Sequence, residues 1–149
     1  MRDFLIVGPQ NACTYKNVFP YLKDGSVGIG ENHVNCLEQP DGTVKKFVNI
    51  RWYTNIGHGW SGKPLELTRT YNPEEYPKYD NYDAIEVSKV KDIPVDYNGV
   101  MGVPITFLYK YCPTQFEIVK FRKGNDDKDL SVNGKCPYFR ILIKRVSNK

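Results

Sequence analysis

The chain has 149 residues, 40% of them apolar and 26% charged, with a formal net charge of +4. That is enough chain to bury one core, and too apolar a composition for a disordered segment. The longest apolar runs, residues 4–7 and 141–143, are far too short to cross a bilayer, and no signal-peptide pattern follows Met1-Arg2-Asp3.

Residues 4–7, Phe-Leu-Ile-Val, end at Gly8-Pro9. A short, fully apolar run predicts a buried strand of the parallel-sheet kind. Thr14 is placed to cap a helix over residues 15–23, with Val18, Phe19 and Leu22 inward and Gly25 as the stop. Pro20 lies past the first turn of such a helix and predicts a kink or a split. Residues 26–30 predict a second strand, so this opening reads as one βαβ unit. Gln39-Pro40-Asp41-Gly42 is a strong turn signal between extended runs at 34–38 and 43–55, and predicts a hairpin. In the second run Val48, Ile50 and Trp52 share one face, and Phe47, Asn49, Arg51 and Tyr53 the other.

Farther on, residues 57–62 form a Gly-rich loop containing His58. Residues 71–97 are crowded with tyrosine, proline and acid, and hold a short strand candidate at 84–87. Pro104 opens a short helix candidate to Tyr111. Residues 115–122 and 138–146 read as paired strands, with turns at Asn125-Asp126-Asp127 and Asn133-Gly134. No repeat or linker divides the chain, so the expectation is a single domain over 1–149, with an internal division between 1–56 and 57–149.

Most familiar chemistries are absent. Gly28-Ile29-Gly30 lacks the third glycine of a dinucleotide loop and no Walker lysine follows it, so tight packing or a strand-end turn accounts for it better. His58 has no nucleophile motif beside it. Asp126, Asp127 and Asp129 lack the glycine and distal glutamate of a calcium loop. Cys13, Cys36, Cys112 and Cys136 form no Cys-x-x-Cys pair, and His33 and His58 sit at no ligand spacing from them. A zinc site is therefore not expected; free thiols in a reducing, cytoplasmic compartment are.

Charge is unevenly placed. From residue 120 onward nine basic side chains face only Asp126, Asp127 and Asp129, a net +6 that leaves −2 for the other 119 residues. This reads either as the footprint of a polyanion partner or as a solvated, lysine-rich end. The aromatic and basic run over residues 45–55 adds rings to cations, the combination that nucleic-acid binding requires. The candidate contacts are Lys45, Lys46, Arg51, Lys78, Asn81, Lys120, Arg122, Lys123, Arg140 and Lys144.

Four strings carry a resemblance: residues 4–16 (FLIVGPQNACTYK), 51–55 (RWYTN), 76–85 (YPKYDNYDAI) and 100–108 (VMGVPITFL). In that order they resemble the EcoRI-type adenine-specific DNA modification methylases, over nearly the whole chain but only the carboxyl-terminal half of such an enzyme. The resemblance implies an α/β fold: the last part of a Rossmann-like methyltransferase sheet, then a β-rich target-recognition region. It implies methyl transfer from S-adenosylmethionine to the N6 of adenine in double-stranded DNA by the complete enzyme, with the target base flipped out and held by an aromatic ring. The strand ending Trp52-Tyr53-Thr54-Asn55 falls in the neighbourhood that supplies this ring. Tyr53 is the preferred candidate there, because Trp52 shares its face with Val48 and Ile50.

The departure from the family pattern is as informative. The catalytic Asn-Pro-Pro-Phe and the glycine-rich cofactor strand do not occur, and Asn72-Pro73 is followed by Glu74. No catalytic residue is therefore assigned, and no cofactor is expected to be bound by this chain alone. The chain reads as a split or truncated methylase, whose amino-terminal half is either a separate chain or lost to an internal start. A free-standing β-rich nucleic-acid-binding module and a poorly folding gene remnant are the other readings. No membrane partner is expected.

Overall fold

The computed structural model describes residues 2–30, 34–57, 63–122, 130–137 and 139–147. The protein is mixed α/β, mostly strands with few helices, and divides into two compact units, Met1–Ser61 and Gly62–Lys149. The division after Ser61 stands beside the one expected after residue 56. No helix of the described residues is long and apolar enough to cross a membrane. The Gly-rich loop with His58, and Asp126, Asp127 and Asp129, lie outside the described residues apart from Gly57.

In the first unit, β1 (Leu5–Pro9), β2 (Gly28–Ile29) and β5 (Ile50–Thr54) form one sheet in the order β1-β5-β2. Both outer strands run antiparallel to β5, pairing Ile6 with Tyr53 and Ile29 with Tyr53. β1 and β2 are thus parallel to each other, joined by a helical crossover, with β5 between them. The expected βαβ unit is present in this split form. The expectation of a buried β1 is corrected, because its sheet neighbour is antiparallel and Leu5, Ile6 and Val7 remain 57%, 54% and 37% exposed.

The crossover begins with a 3-10 helix, Gln10–Thr14, and continues into α1 (Phe19–Lys23). The helix predicted over 15–23 is shortened to its last five residues. Proline has no N–H to give and is tolerated only in a first turn, so α1 starts where Pro20 falls in that turn. The Thr14 hydroxyl donates to the Asn11 carbonyl rather than capping α1. Gly25, with φ of 80°, ends the helix as expected.

The hairpin around Gln39–Gly42 forms from β3 (Cys36–Glu38) and β4 (Val44–Lys46), with Gly42 at φ 82°. The long run that follows does not continue as one strand. The Phe47 N–H donates to the Asn35 carbonyl and closes the hairpin, whereas the Asn49 carbonyl accepts from the Gln10 N–H and opens the next sheet. Across Phe47-Val48-Asn49 the chain changes partners, and Val48 is 85% exposed.

The Cys13 thiol is buried, and burial pushes its pKa from an ordinary 9.0 up to about 11. A thiol whose folded pKa is raised stabilises the fold fully below pH 9.0, and that contribution is lost as pH rises through about 11. Urea unfolding of the protein should lose on the order of 2 kcal/mol through this group across that window. Cys13→Ala should flatten the decline. An equally steep decline in the variant would show that other groups cause it.

The second unit holds β6 (Ile85–Glu86), β7 (Met101–Pro104), β8 (Phe116–Arg122) and β9 (Arg140–Arg145) in the order β6-β7-β9-β8. β6 and β7 are parallel; the other pairs are antiparallel. β9 is interior, and Ile141, Leu142 and Ile143 are buried on both faces. On one face Phe107 meets Phe116 edge-on at 5.7 Å, the favoured aromatic geometry. On the other, Leu142 packs with Tyr79, Ala84 and Leu130. Phe107 is delivered by a 3-10 helix, Ile105–Lys110, with Pro104 as its cap residue, where a short helix was expected. Asn133 and Gly134 both take positive φ, 51° and 76°, between paired Val132 and Lys135. That is the two-residue hairpin turn an Asn-Gly pair predicts.

Candidate nucleic-acid interface

The predicted contacts fall into two sets, one in each unit. In the first unit Lys45 and Lys46 sit on exposed β4, with Lys45 Nζ 5.4 Å above the Phe47 ring. Arg51 and Tyr53 behave differently from the sequence expectation. They project from the same face of β5, and each is only 4% exposed. The Tyr53 hydroxyl donates to the Pro9 carbonyl at 2.8 Å, and its ring lies against Gly8. Tyr53 is thus part of the sheet's packing, while Trp52, on the opposite face, is partly exposed. The expected order of burial is inverted because Val48, the residue expected to place Trp52 in the core, has left the strand. Trp52 also explains Gly28-Ile29-Gly30: a Cβ on Gly30 would come within 3.1 Å of Trp52 Cβ. The glycine permits close packing of β2 against Trp52.

In the second unit, side chains alternate along the β8–β9 ladder. Register pairs Glu117 with Lys144, Lys120 with Leu142 and Arg122 with Arg140. One face therefore carries Glu117, Lys120, Arg140, Leu142 and Lys144. Lys120 and Lys144 are exposed, and Lys120 Nζ lies 5.9 Å above the Tyr82 ring. Arg122 stands in the strand opposite Arg140, and Lys123 lies outside the described residues. Lys78 is exposed and 3.7 Å from the Asp83 carboxylate, an ion pair of little energetic weight.

Arg140 does not present a free cation. Its Nη2 and Nε lie 2.7 and 2.8 Å from Glu86 Oε1. The other carboxylate oxygen of Glu86 accepts from the Tyr79 hydroxyl. Burial, then the bond to Glu86, raises the Tyr79 phenol well above its ordinary range, so it stays a neutral donor. Tyr79 in turn crosses Gly102, where an added Cβ would come within 2.7 Å of the ring. A buried Tyr79–Glu86–Arg140 cluster thus ties β6, β7 and β9 together. Sequence reasoning missed Glu86 and Tyr79; a glutamate between Ile85 and Val87 in an apolar strand was the available signal.

Asn81 is also engaged. Its side-chain oxygen accepts from the Ser131 N–H, while Asp80 accepts from the N–H groups of Asn133 and Gly134 and from the Ser131 hydroxyl. Those bonds, chiefly the Gly134 N–H, hold the Asp80 carboxyl below its usual range. The Asp80-Asn81 corner organises the Asn133-Gly134 turn. Among the described residues no group of His, Cys, Asp and Glu is arranged to hold a metal ion.

The arrangement offers exposed lysines beside aromatic rings in each unit. Known proteins give this a context. The family described as adenine-specific methyltransferase EcoRI matches residues 1–146. The type II methyltransferase M.EcoRI of Escherichia coli is 50% identical over 96% of this chain and 50% of its own length. M.MgeORF184P of Mycoplasma genitalium is 33% identical, covering 97% of this chain and 57% of its own. M.MpnI of Mycoplasma pneumoniae is 29% identical, covering 99% and 58%. No solved structure matches with significance. The chain spans about half the length of the curated relatives it matches. On the match across residues 1–146 and the identity to M.EcoRI, the chain belongs to the EcoRI adenine-specific methyltransferase family.

Proposed function

We propose that this chain is the DNA-recognising, carboxyl-terminal half of an adenine-N6 DNA methyltransferase, acting with an amino-terminal half that supplies the methyl donor site and the catalytic tetrapeptide. The observation that carries this reading is the match to half of each relative's length, in a sequence without Asn-Pro-Pro-Phe. S-adenosylmethionine is the donor when the enzyme is complete, and this sequence carries neither Asn-Pro-Pro-Phe nor the glycine-rich cofactor strand. The split βαβ arrangement of β1 and β2 supports the reading of the first unit as the end of a Rossmann-like sheet, since a helical crossover between parallel strands is the unit of such sheets.

In this reading the exposed lysines Lys45 and Lys46 of the first unit, and Lys78, Lys120 and Lys144 of the second, neutralise phosphates, with Arg122, Lys123 and Asn81 as further contacts from the second unit. Arg51 and Arg140 support the fold instead. Stacking on the flipped base is assigned to Trp52 rather than Tyr53, because a stacking ring must be accessible. The purified chain should bind duplex DNA and transfer no methyl group to it. Methylation by the chain alone, measured with labelled S-adenosylmethionine, would overturn the division of labour.

A further inference from the structure

We propose that the hairpin of β3 and β4 lies in the major groove of duplex DNA as a two-stranded ribbon and reads adenine edges there with the side-chain amides of Asn35 and Gln39. The inference rests on the reading above that the chain binds duplex DNA. It deepens that reading by naming an element that reads sequence, and it places that element in the first unit rather than in the region expected to hold target recognition.

The register of the hairpin sorts its side chains. Cys36 pairs with Lys46, Leu37 with Lys45 and Glu38 with Val44. The ladder continues beyond both ends of the strands: the Gln39 N–H donates to the Thr43 carbonyl at 2.7 Å, and the Phe47 N–H to the Asn35 carbonyl at 2.9 Å. Side chains alternate between the two faces of such a ribbon. Asn35, Leu37, Gln39, Lys45 and Phe47 therefore share one face, in agreement with Lys45 Nζ standing over the Phe47 ring. Cys36, Glu38, Val44 and Lys46 share the other.

The ribbon is presented rather than packed. Every residue of β3 and β4 is exposed, on both faces. Asn35 is exposed as well, and Gln39 partly so. A hairpin in the body of a fold buries one of its faces to become stable; this one leaves both open to a partner. Its turn is fixed by local bonds instead. The Asp41 carboxylate accepts from the Thr43 N–H and hydroxyl at 2.9 and 2.6 Å, and Gly42 takes a φ of 82°.

The chemistry of the first face selects the partner. It holds two amides and one ammonium group and no carboxylate, because Glu38 points to the opposite face. An amide both donates and accepts, which matches the N7 acceptor and N6 donor of adenine in the major groove, and that groove is wide enough for a two-stranded ribbon. Lys45, on the same face, supplies the cation for the neighbouring phosphates. Asn35 and Gln39 lie four residues apart on one extended run, so they are separated by about 13 Å, or about four base-pair steps. Each therefore meets a different base pair. A protein partner would require a contiguous apolar patch, whereas here the Lys45 ammonium group stands over the Phe47 ring.

The test uses the full chain and a pool of short duplexes with a randomised centre. Rounds of binding, recovery and sequencing should enrich a motif that contains adenines. By fluorescence anisotropy the chain should prefer that motif to a mixed-sequence duplex by about tenfold or more. Asn35→Ala and Gln39→Ala should each lower the preference by about fivefold or more, each at its own adenine. Replacing that adenine with 7-deazaadenine, which lacks the N7 acceptor, should cost the parent a similar factor and leave the matching variant indifferent. The parent's response to the altered base does not depend on how either variant folds. No enriched motif, a motif without adenine, a preference that neither variant changes, or an equal loss of affinity for all sequences would overturn the ribbon as a reader. So would a parent that tolerates 7-deazaadenine. In each of those cases binding to the mixed-sequence duplex still supports the proposed function, whereas a chain that binds no duplex overturns both.

Discussion

Arg140→Ala should destabilise the second unit by about 3–5 kcal/mol, because it leaves the Glu86 carboxylate buried without its cation. Glu86 is a buried residue whose Oε1 takes both guanidinium bonds, at 2.7 and 2.8 Å. Its other oxygen is already engaged by Tyr79. Urea unfolding of the variant checks the loss. A phosphate-contacting arginine behaves otherwise: its removal lowers DNA affinity and leaves the unfolding midpoint in place. The stronger control replaces the cluster as a whole. Tyr79→Phe, Glu86→Leu and Arg140→Met together should recover most of the lost stability, since an apolar substitute carries no desolvation cost. The same cluster sets an alkaline limit. The raised Tyr79 phenol contributes stability that is present below its ordinary pKa of 10.0 and lost as pH rises toward its folded value.

Gly102→Ala should cost about 3 kcal/mol, a large effect for one methyl group, because the space above Gly102 is filled by Tyr79. The added carbon would come within 2.7 Å of Tyr79 Cζ and 2.8 Å of Cε2. Tyr79 has no room to yield: it is packed against Ala84, Leu130 and Leu142 and tethered through its hydroxyl to Glu86. Displacing it lengthens that bond and opens the Glu86 site as well. In a double-mutant cycle with Tyr79→Phe, the two costs should therefore be less than additive. Full additivity would mean that the glycine is required for another reason. Urea midpoints of the four proteins decide between these.

Much of the local structure was legible in the sequence, because turns and strand periods are local properties. Gly42 and Asn133-Gly134 announced their turns, and residues 115–122 and 138–146 read as the paired strands that β8 and β9 are. The helix at Pro20 failed in a predictable direction, since the proline restricted where helix could begin. What could not be read depends on distant partners. The run over residues 43–55 looked like one strand, yet the backbone partners of Phe47 and Asn49, Asn35 and Gln10, belong to different sheets. With Val48 outside any strand, the face that put Trp52 in the core and Tyr53 outside lost its anchor. Arg140 looked like one more surface cation until its partner, 54 residues earlier, was placed beside it. The antiparallel neighbour of β1 lies more than 40 residues along the chain, so its four apolar residues pointed to the wrong kind of sheet.

Binding of the purified chain to a short duplex of mixed sequence, followed by fluorescence anisotropy as salt is raised, tests the central claim most directly. The account predicts binding at low salt, with log Kd rising linearly with log salt. Replacing Lys45, Lys46, Lys120 and Lys144 with alanine should weaken binding and lower the slope by about 0.9 for each phosphate contact removed. No binding at low salt, or binding that is indifferent to both salt and the four lysines, would contradict it.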